Sequence, residues 1–282
     1  MKVGLLLEGG AMRGLYTAGV LDILMKNKID VDGIVGVSAG ALFGMNYKSK
    51  QIGRVLRYNK RFCKNKNYMG WYSWLTTGNI MNEDFCFNKI VNELDPIDFN
   101  TYKNSKEEFY VVVTNIETGR AEYKKIQDFD TKNNIEYFRA SGSMPYVSKP
   151  VIIDNNKYLD GGIADSIPIE KIMSMGYDKI IVVLTRPIEY RKKKGNSIMP
   201  NLVYKKYPKF AEIIKNRYER YNKQVEKVIE LEKNKKIFVF RPSKLVDIKR
   251  IERDEKKIQE MYDLGIKDCN EKIKDLKEYL MN

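Results

Sequence analysis

The sequence contains no histidine and only three cysteines in 282 residues. The missing histidine excludes a Ser-His-Asp triad and any metal site built on imidazole. The cysteines, Cys63, Cys86 and Cys269, lie far apart and form no CxxC pair, so neither a disulfide framework nor a zinc site is indicated. We therefore expect no bound metal and a reducing, cytoplasmic setting.

Long apolar runs are also missing. No stretch approaches the ~20 consecutive apolar residues that cross a bilayer. The first ten residues, MKVGLLLEGG, are interrupted by Glu8 too early for the apolar region of a signal peptide. We expect a protein that does not span a membrane, although it remains free to lie on one.

Positive charge is abundant, with 51 Lys and Arg against 37 Asp and Glu and a net charge of +14. Such an excess favours an anionic partner: a phospholipid surface, a nucleic acid or a polyanionic substrate. A composition that is rich in lysine throughout is an equally good explanation. No nucleic-acid recognition module is present, so we expect no nucleic-acid partner.

The order of apolar runs predicts the fold class. Runs at 3–7 and 33–37 are each followed by a helical pattern, which is typical of β–α units in a parallel sheet. We predict a three-layer α/β/α fold with a mostly parallel central sheet and a helical C-terminal extension. Further strands are expected at 109–116, 121–126, 151–153, 157–159, 179–184 and 236–240. Helices are expected at 133–140, as one or two helices within 201–234, and at 251–280 with a kink at Gly265.

We predict a core domain over residues 1–185 and a C-terminal strand and helices, 186–282, that pack on the same domain. Residues 48–108 are expected to form a basic and aromatic cap insert. Within it, 48–82 holds eight basic residues, no acidic residue and both tryptophans, Trp71 and Trp74. This composition suits an interface with anionic lipid headgroups. The alternative is a solvated helix followed by tryptophans in the core.

A candidate nucleophile lies in the pentapeptide Gly36–Gly40, GVSAG, between an apolar run and a helical stretch. The order of strand, G-x-S-x-G and helix is what a nucleophile elbow requires. Bulky residues two positions from Ser38 would collide in the sharp turn, and glycine at both places avoids the collision. The helix that follows directs its N-terminal N–H groups toward developing negative charge.

A glycine-rich loop, Glu8–Gly14, follows the first strand. Its glycine spacing does not fit a dinucleotide fingerprint, and Leu15 replaces the Lys-Ser/Thr of a P-loop, so we expect no nucleotide cofactor. Beside a parallel-sheet nucleophile, the N–H groups of this loop would form an oxyanion hole. Arg13 would either add positive charge there, or form a salt bridge at the start of the helix.

Without histidine, a carboxylate must take the serine proton. Asp160 ends a short strand and precedes two glycines, so its side chain is expected to face a cleft. Asp165 lies on the same loop and remains a second candidate. Asp154 suits a polar turn, and Asp22 and Asp32 are expected to be solvated.

Four sequence blocks, in order, resemble the bacterial patatin-like phospholipase family over roughly residues 1–185. The glycine-rich block, usually D/E-G-G-G-x-R-G in the family, is EGGAMRG at 8–14. The elbow is GVSAG, the A-S-x-x-x-P block is ASGSMP at 140–145, and the D-G-G/A block is DGG at 160–162. Each block is weak alone, but four in the family's order are specific.

The resemblance implies a patatin-like fold and a catalytic dyad in which Ser38 is the nucleophile and Asp160 the base. It implies an oxyanion hole formed by Gly9, Gly10, Ala11 and Arg13. One departure is Ala11 in place of the third glycine, because alanine adopts a positive φ only at a cost.

The function that we expect is a serine lipid acyl hydrolase acting on phospholipids or other acyl esters. The alternative is a catalytically weak protein that binds anionic lipid through its basic surface.

Overall fold

The structure, a computed structural model, describes the backbone of residues 1–282 and every side chain except that of Lys132. The described residues form one mixed sheet of eight strands with helices on both faces, which confirms the predicted α/β/α class. The strands are β1 (Val3–Leu7), β2 (Gly33–Val37), β3 (Glu108–Asn115), β4 (Arg120–Lys125), β5 (Val151–Ile153), β6 (Asn156–Asp160), β7 (Lys179–Val183) and β8 (Phe238–Phe240).

Helices connect these strands and extend beyond them. They are α1 (Leu15–Lys26), α2 (Ala39–Lys48), α3 (Arg54–Phe62), α4 (Trp71–Thr77), a π-helix (Phe85–Leu94), α5 (Phe99–Asn104), α6 (Lys132–Gly142), α7 (Ile169–Met173), α8 (Met199–Val203), α9 (Pro208–Lys215), α10 (Arg217–Lys233) and α11 (Glu255–Met281). Short 3₁₀ turns at Ala11–Gly14 and Gly161–Ile163 follow β1 and β6.

The strand order is β5-β6-β3-β2-β1-β7-β8, and β4 pairs with β3. The pairs from β3 through β2, β1 and β7 to β8 are parallel, whereas β4, β5 and β6 are antiparallel to their neighbours. The β1–α1–β2 unit and the β3–β4 hairpin therefore form as predicted.

Both faces of the central strands are buried, which explains their continuous apolar sequences. Leu5 and Leu7 of β1 belong to the core beneath α1, α2 and α11, whereas Leu6 faces the core beneath α7 and α10. The carboxyl ends of β1 and β2 lie at the same edge of the sheet, so the loops that follow them meet there.

The C-terminal helix α11 runs through Gly265, the position of the predicted kink, without a break in its helical assignment. Glycine is needed there for close packing. A Cβ atom at Gly265 would lie 2.1 Å from the carbonyl oxygen of Tyr16, and one at Gly19 would lie 2.3 Å from that of Tyr262. The two glycines let α1 and α11 approach backbone to backbone.

Two other helix boundaries differ from expectation. Residues 201–234 contribute to three helices rather than one or two, because Pro208 starts α9 and a break at Asn216 separates it from α10. Helix α6 continues past Ala140, its predicted end, to Gly142. The two additional residues include Ser141, whose hydroxyl donates to Val112 O at 2.7 Å.

Candidate active site

Ser38 lies at the turn between β2 and α2, with φ 53° and ψ −124°. A positive φ in a residue other than glycine costs about 1–3 kcal/mol and is characteristic of functional turns. The flanking glycines make this turn possible. A Cβ atom at Gly36 would lie 2.6 Å from Ala41 Cα, and one at Gly40 would lie 2.4 Å from Leu7 O.

The register of β3 brings Asp160 to Ser38. Strand β4 occupies one edge of β3 from Tyr110 to Asn115, so β2 and β6 share the other edge end to end. Val37 pairs with Val112, and Asp160 pairs with the next residue, Val113. Ser38, one residue beyond Val37, therefore lies beside Asp160, although 122 positions separate the two in sequence.

The two side chains are buried and in direct contact. Ser38 Oγ donates to Asp160 Oδ2 at 2.7 Å, and Gly162 N donates to Asp160 Oδ1 at 2.8 Å. Burial raises the pKa of Asp160 above its ordinary value, against the opposing effects of the Arg217 charge and these two hydrogen bonds. A carboxylate with a raised pKa is a stronger base than a solvated aspartate.

The glycine loop packs directly against the serine. A Cβ atom at Gly9 would lie 2.8 Å from Ser38 Cβ, and one at Gly10 would lie 2.7 Å from Thr185 Oγ1. Within the described part of the chain, the N–H groups of Gly9, Gly10 and Ala11 donate to no acceptor. The loop therefore presents free backbone donors beside Ser38.

Ala11 adopts φ 49°, the left-handed conformation that the glycine of the family pattern would take without cost. The loop thus keeps its positive φ at this position despite the substitution, at a cost of about 1–2 kcal/mol. Ala11 lines the space next to Ser38.

Arg13 does not form the salt bridge that was considered at the start of the helix. In the part of the chain that the structure describes, Arg13 has no ion pair, and its Nε has no hydrogen-bond partner. Burial, with repulsion from Arg186 and Arg250, lowers the pKa of Arg13 to about 10. Its guanidinium lies in a cationic neighbourhood at the edge of the site.

The other candidate carboxylates lie elsewhere. Asp165 accepts hydrogen bonds from Tyr123 and Gln224, which fix it away from Ser38. Asp154 sits in the β5–β6 turn, and Asp32 caps the backbone N–H of residue 3. Asp22 is not solvated as expected: it is buried and accepts from Tyr262 Oη and Gly53 N.

Two cavities of opposite character meet at Ser38. The first has a volume of about 90 Å³ and is lined mainly by apolar side chains from α2, α3, the π-helix and the segment between them. The side chains of Leu42, Phe43, Met81, Phe87 and Val91 contribute to it. An apolar cavity of this kind suits an apolar ligand group.

The second cavity is a cleft lined by eight cationic side chains and only two carboxylates, Glu8 and Asp160. Most of these cations, including Lys192, Arg217 and Arg250, lie after residue 173 and were not among the predicted site residues. The only sign of this cleft in the sequence was the basic loop at 191–194. The other cations come together through packing between α10 and the loops around it, which the sequence pattern does not show.

The 48–82 stretch does not form a continuous cationic face. Lys48 and Arg54 are buried, and Arg57 pairs with Asp95. The alternative of tryptophans packed in the core is also wrong, because Trp71 is 68% exposed. Its ring contacts that of Trp74 edge to face, with the ring centres 5.8 Å apart.

None of the described helices combines the length and the apolar composition needed to span a membrane.

Comparisons with known proteins agree with this architecture. The family model described as patatin-like phospholipase matches residues 5–173, more than half of the chain, and a domain of unknown function matches residues 207–281. The uncharacterized protein YjjU of Escherichia coli is 27% identical over 192 residues, which cover 66% of this chain and 52% of YjjU. The lysophospholipase nte1 of Aspergillus oryzae is 27% identical over 204 residues, 69% of this chain and 12% of nte1.

The chain thus spans about half the length of YjjU and a small part of nte1. Among solved structures, VipD from Legionella pneumophila matches 96% of this chain and 67% of its own, with 14% identity and a TM-score of 0.43. On the family match over residues 5–173, this chain belongs to the patatin-like phospholipase family.

Proposed function

We propose that the protein is a serine lipid acyl hydrolase that cleaves acyl esters through a Ser38–Asp160 dyad and an acyl-enzyme. The observation that carries the proposal is the 2.7 Å contact between Ser38 Oγ and Asp160 Oδ2, at the point where an apolar and a basic cavity meet. The relative named lysophospholipase supports the same class of reaction.

In the first half of the reaction, Ser38 Oγ attacks the ester carbonyl carbon while its proton passes to Asp160 Oδ2. The raised pKa of Asp160 makes this transfer easier than it would be to a solvated aspartate. The tetrahedral intermediate then collapses, its C–O bond to the alcohol breaks, and the alcohol leaves with the proton from Asp160. Ser38 remains acylated.

In the second half, Asp160 takes a proton from water, and the resulting hydroxide attacks the acyl carbon. The Ser38 C–O bond breaks, the serine oxygen recovers the proton, and a fatty acid is released. In both halves, the free N–H groups of Gly9, Gly10 and Ala11 would stabilise the oxyanion. Each such donor contributes roughly 3–4 kcal/mol to the transition state.

A fluorophosphonate probe and a lysophospholipid hydrolysis assay test the proposal together. We expect the wild-type protein to be labelled and to release fatty acid, and Ser38→Ala to lose both. Ser174→Ala, at an exposed serine outside the site, serves as the matched control and should be labelled like the wild type. Absence of labelling in folded wild-type protein would favour the alternative of a non-catalytic lipid binder.

We also propose that the protein binds anionic membrane surfaces through α4. Trp71 and Leu75 on this helix are 68% and 74% exposed, and Lys66, also exposed, lies 4.7 Å above the ring of Tyr72. Exposed tryptophan and leucine beside lysine is the pattern of an interfacial helix. Met69, Ile80 and Met81, which flank this helix in sequence, line the apolar cavity, so binding there would bring lipid close to the cavity.

Co-sedimentation with phosphatidylglycerol vesicles tests this contact. We expect the Trp71→Ser/Leu75→Ser double variant to bind several-fold more weakly than the wild type, since about 0.8 kcal/mol is lost for each CH₂ group withdrawn from the lipid. Leu245→Ser, at an exposed leucine in the loop after β8, is the control. Equal binding of all three proteins would contradict the proposal.

A further inference from the structure

The basic cleft holds more positive charge than the proposed reaction uses. Of its eight cationic side chains, only Arg191 forms an ion pair within the described part of the chain, with Glu226. The seven others, which include Arg13, Arg186, Lys192, Arg217 and Arg250, form an unpaired cationic cluster. Outside the cleft, the buried Arg54 has an ion-pair partner in Asp95. Like charges gathered without counter-ions repel one another, so this cluster requires a separate explanation.

The cluster is held by specific contacts. Arg217 Nε donates to Gly162 O at 2.5 Å, next to Asp160. Lys192 Nζ lies 4.2 Å from the ring centre of Tyr221, and Tyr221 Oη donates to Glu8 at 3.0 Å. These contacts hold Arg217 and Lys192 at the wall of the cleft.

The two carboxylates in the cleft are already engaged. Glu8 Oε2 accepts from the backbone N–H and the hydroxyl of Thr185, and Asp160 accepts from the hydroxyl of Ser38 and the N–H of Gly162. Burial, with repulsion from Arg217 and Arg250, lowers the pKa of Lys192 to about 7. The cations therefore repel one another, and an added anion would relieve that repulsion.

The position of the cleft identifies which part of a substrate it would receive. An ester at Ser38 has an acyl chain on one side of the scissile carbon and an alcohol on the other. The apolar cavity suits the acyl chain, because a charged group there would be desolvated without a partner. The alcohol then extends into the basic cleft.

We propose that the basic cleft is the subsite for an anionic phosphate on the alcohol portion of the substrate. This inference rests on the proposed acyl hydrolase function and narrows it to acyl esters of phosphate-bearing alcohols without a compensating cation. Arg217 and Arg250 lie within residues 207–281, the segment matched by the domain of unknown function. That segment thus gains a role: it supplies the phosphate-binding wall of the site.

Three substrates with the same acyl chain, presented in neutral detergent micelles, test the subsite: 1-acyl-glycerol 3-phosphate, 1-acyl-glycerophosphocholine and 1-acylglycerol. We expect kcat/KM to be highest for the first by about 10-fold or more, the size of one or two charge-assisted hydrogen bonds. Choline is expected to lower the rate because it brings a cation into a cationic cleft.

Arg250→Gln and Lys192→Gln are the diagnostic variants, and Arg250 is exposed, so its replacement leaves the core intact. Each should reduce the preference for the phosphate ester over 1-acylglycerol about 10-fold, mainly through KM. Arg120→Gln, at an exposed arginine on β4, is the matched control and should keep the wild-type preference.

The outcomes separate this inference from the function on which it rests. Equal kcat/KM on all three substrates, or an unchanged preference in both variants, would overturn the phosphate subsite while leaving the hydrolase intact. Failure to hydrolyse any substrate, with no labelling of Ser38, would remove the proposed function. In that case, calorimetric titration of Ser38→Ala with 1-acyl-glycerol 3-phosphate still tests the subsite, and no binding would overturn it. Equally tight binding of inorganic phosphate would assign the cleft to free phosphate and overturn the lipid assignment.

Discussion

The apolar cavity and the basic cleft share Ser38 but are built from different parts of the chain. The apolar walls come almost entirely from residues before 145, within the segment matched by the family model. The basic walls draw heavily on residues 186–250. If the proposed reaction takes place, the family core would supply the proposed nucleophile, the proposed base and the acyl side, whereas the C-terminal part of the chain would form the alcohol side.

The largest loss of activity is expected from a substitution at Asp160, where the two cavities meet. Asp160→Asn should lower kcat at least about 10³-fold on any ester, because general-base assistance is lost while both cavities remain. Asp165→Asn, at the second candidate carboxylate, is the matched control and should change kcat only a few-fold. Steady-state hydrolysis of a short-chain ester measures both, and an active Asp160→Asn enzyme would show that the cavities meet at a different catalytic group.

A substitution in the apolar cavity should change only how activity depends on the length of the acyl chain. Met81→Trp adds volume to a half-buried residue of the apolar cavity. We expect kcat/KM for a 16-carbon ester to fall by about 10-fold or more, since steric overpacking costs about 1–3 kcal/mol. Butyryl ester hydrolysis should stay near wild type.

The control is Met81→Leu, which approximately conserves volume and should keep the long-chain activity. Equal losses for the short and long esters in Met81→Trp would mean that the cavity does not hold the acyl chain.

A change of pH should alter kcat/KM through the protonation of Lys192 in the basic cleft. The lowered pKa of Lys192, about 7, means that this side chain is charged below that pH and loses its charge as pH rises through it. The charged groups that face it are Glu8, Asp160, Arg217 and Arg250. We expect kcat/KM for 1-acyl-glycerophosphoglycerol, whose diester charge is constant, to fall several-fold from pH 6 to 8, and that for 1-acylglycerol to fall less.

Lys192→Arg should abolish the difference between the two profiles, because a guanidinium remains protonated over this range. The raised pKa of Asp160 predicts a further, shared loss of activity at acidic pH, where protonation removes the base. Parallel profiles for both substrates in the wild type would indicate that Lys192 does not face the phosphate.

The smallest effect is expected in the loop that both cavities share. Ala11→Gly should stabilise the protein by about 0.5–1 kcal/mol, because glycine adopts φ 49° without a Cβ clash. Activity should change no more than a few-fold, since the loop keeps its backbone geometry. Ala211→Gly, within α9, should have the opposite sign and cost about 1 kcal/mol. Urea unfolding at neutral pH compares the two, and a destabilised Ala11→Gly would show that the loop is not strained.

Sequence patterns predicted most of the fold. Every predicted strand lies within about two residues of an observed one. Apolar runs located the central strands, because strands buried on both faces have continuous hydrophobic sequences. Predictions about single polar residues were less successful. Asp22 was expected in solvent but is buried against Tyr262, and the close helix packing at Gly265 was not predicted. Both depend on contacts more than 200 positions away in sequence, which local patterns do not encode.

By itself, the sequence determined the α/β class, the absence of a histidine triad and the four motif blocks that indicated Ser38 and Asp160. Only the tertiary structure decided that these two side chains touch, because β2 and β6 share one edge of β3. The sequence contained every lysine and arginine of the cleft but not their proximity. Coulomb interactions depend on distance in space, so only packing could turn a diffuse positive charge into a site.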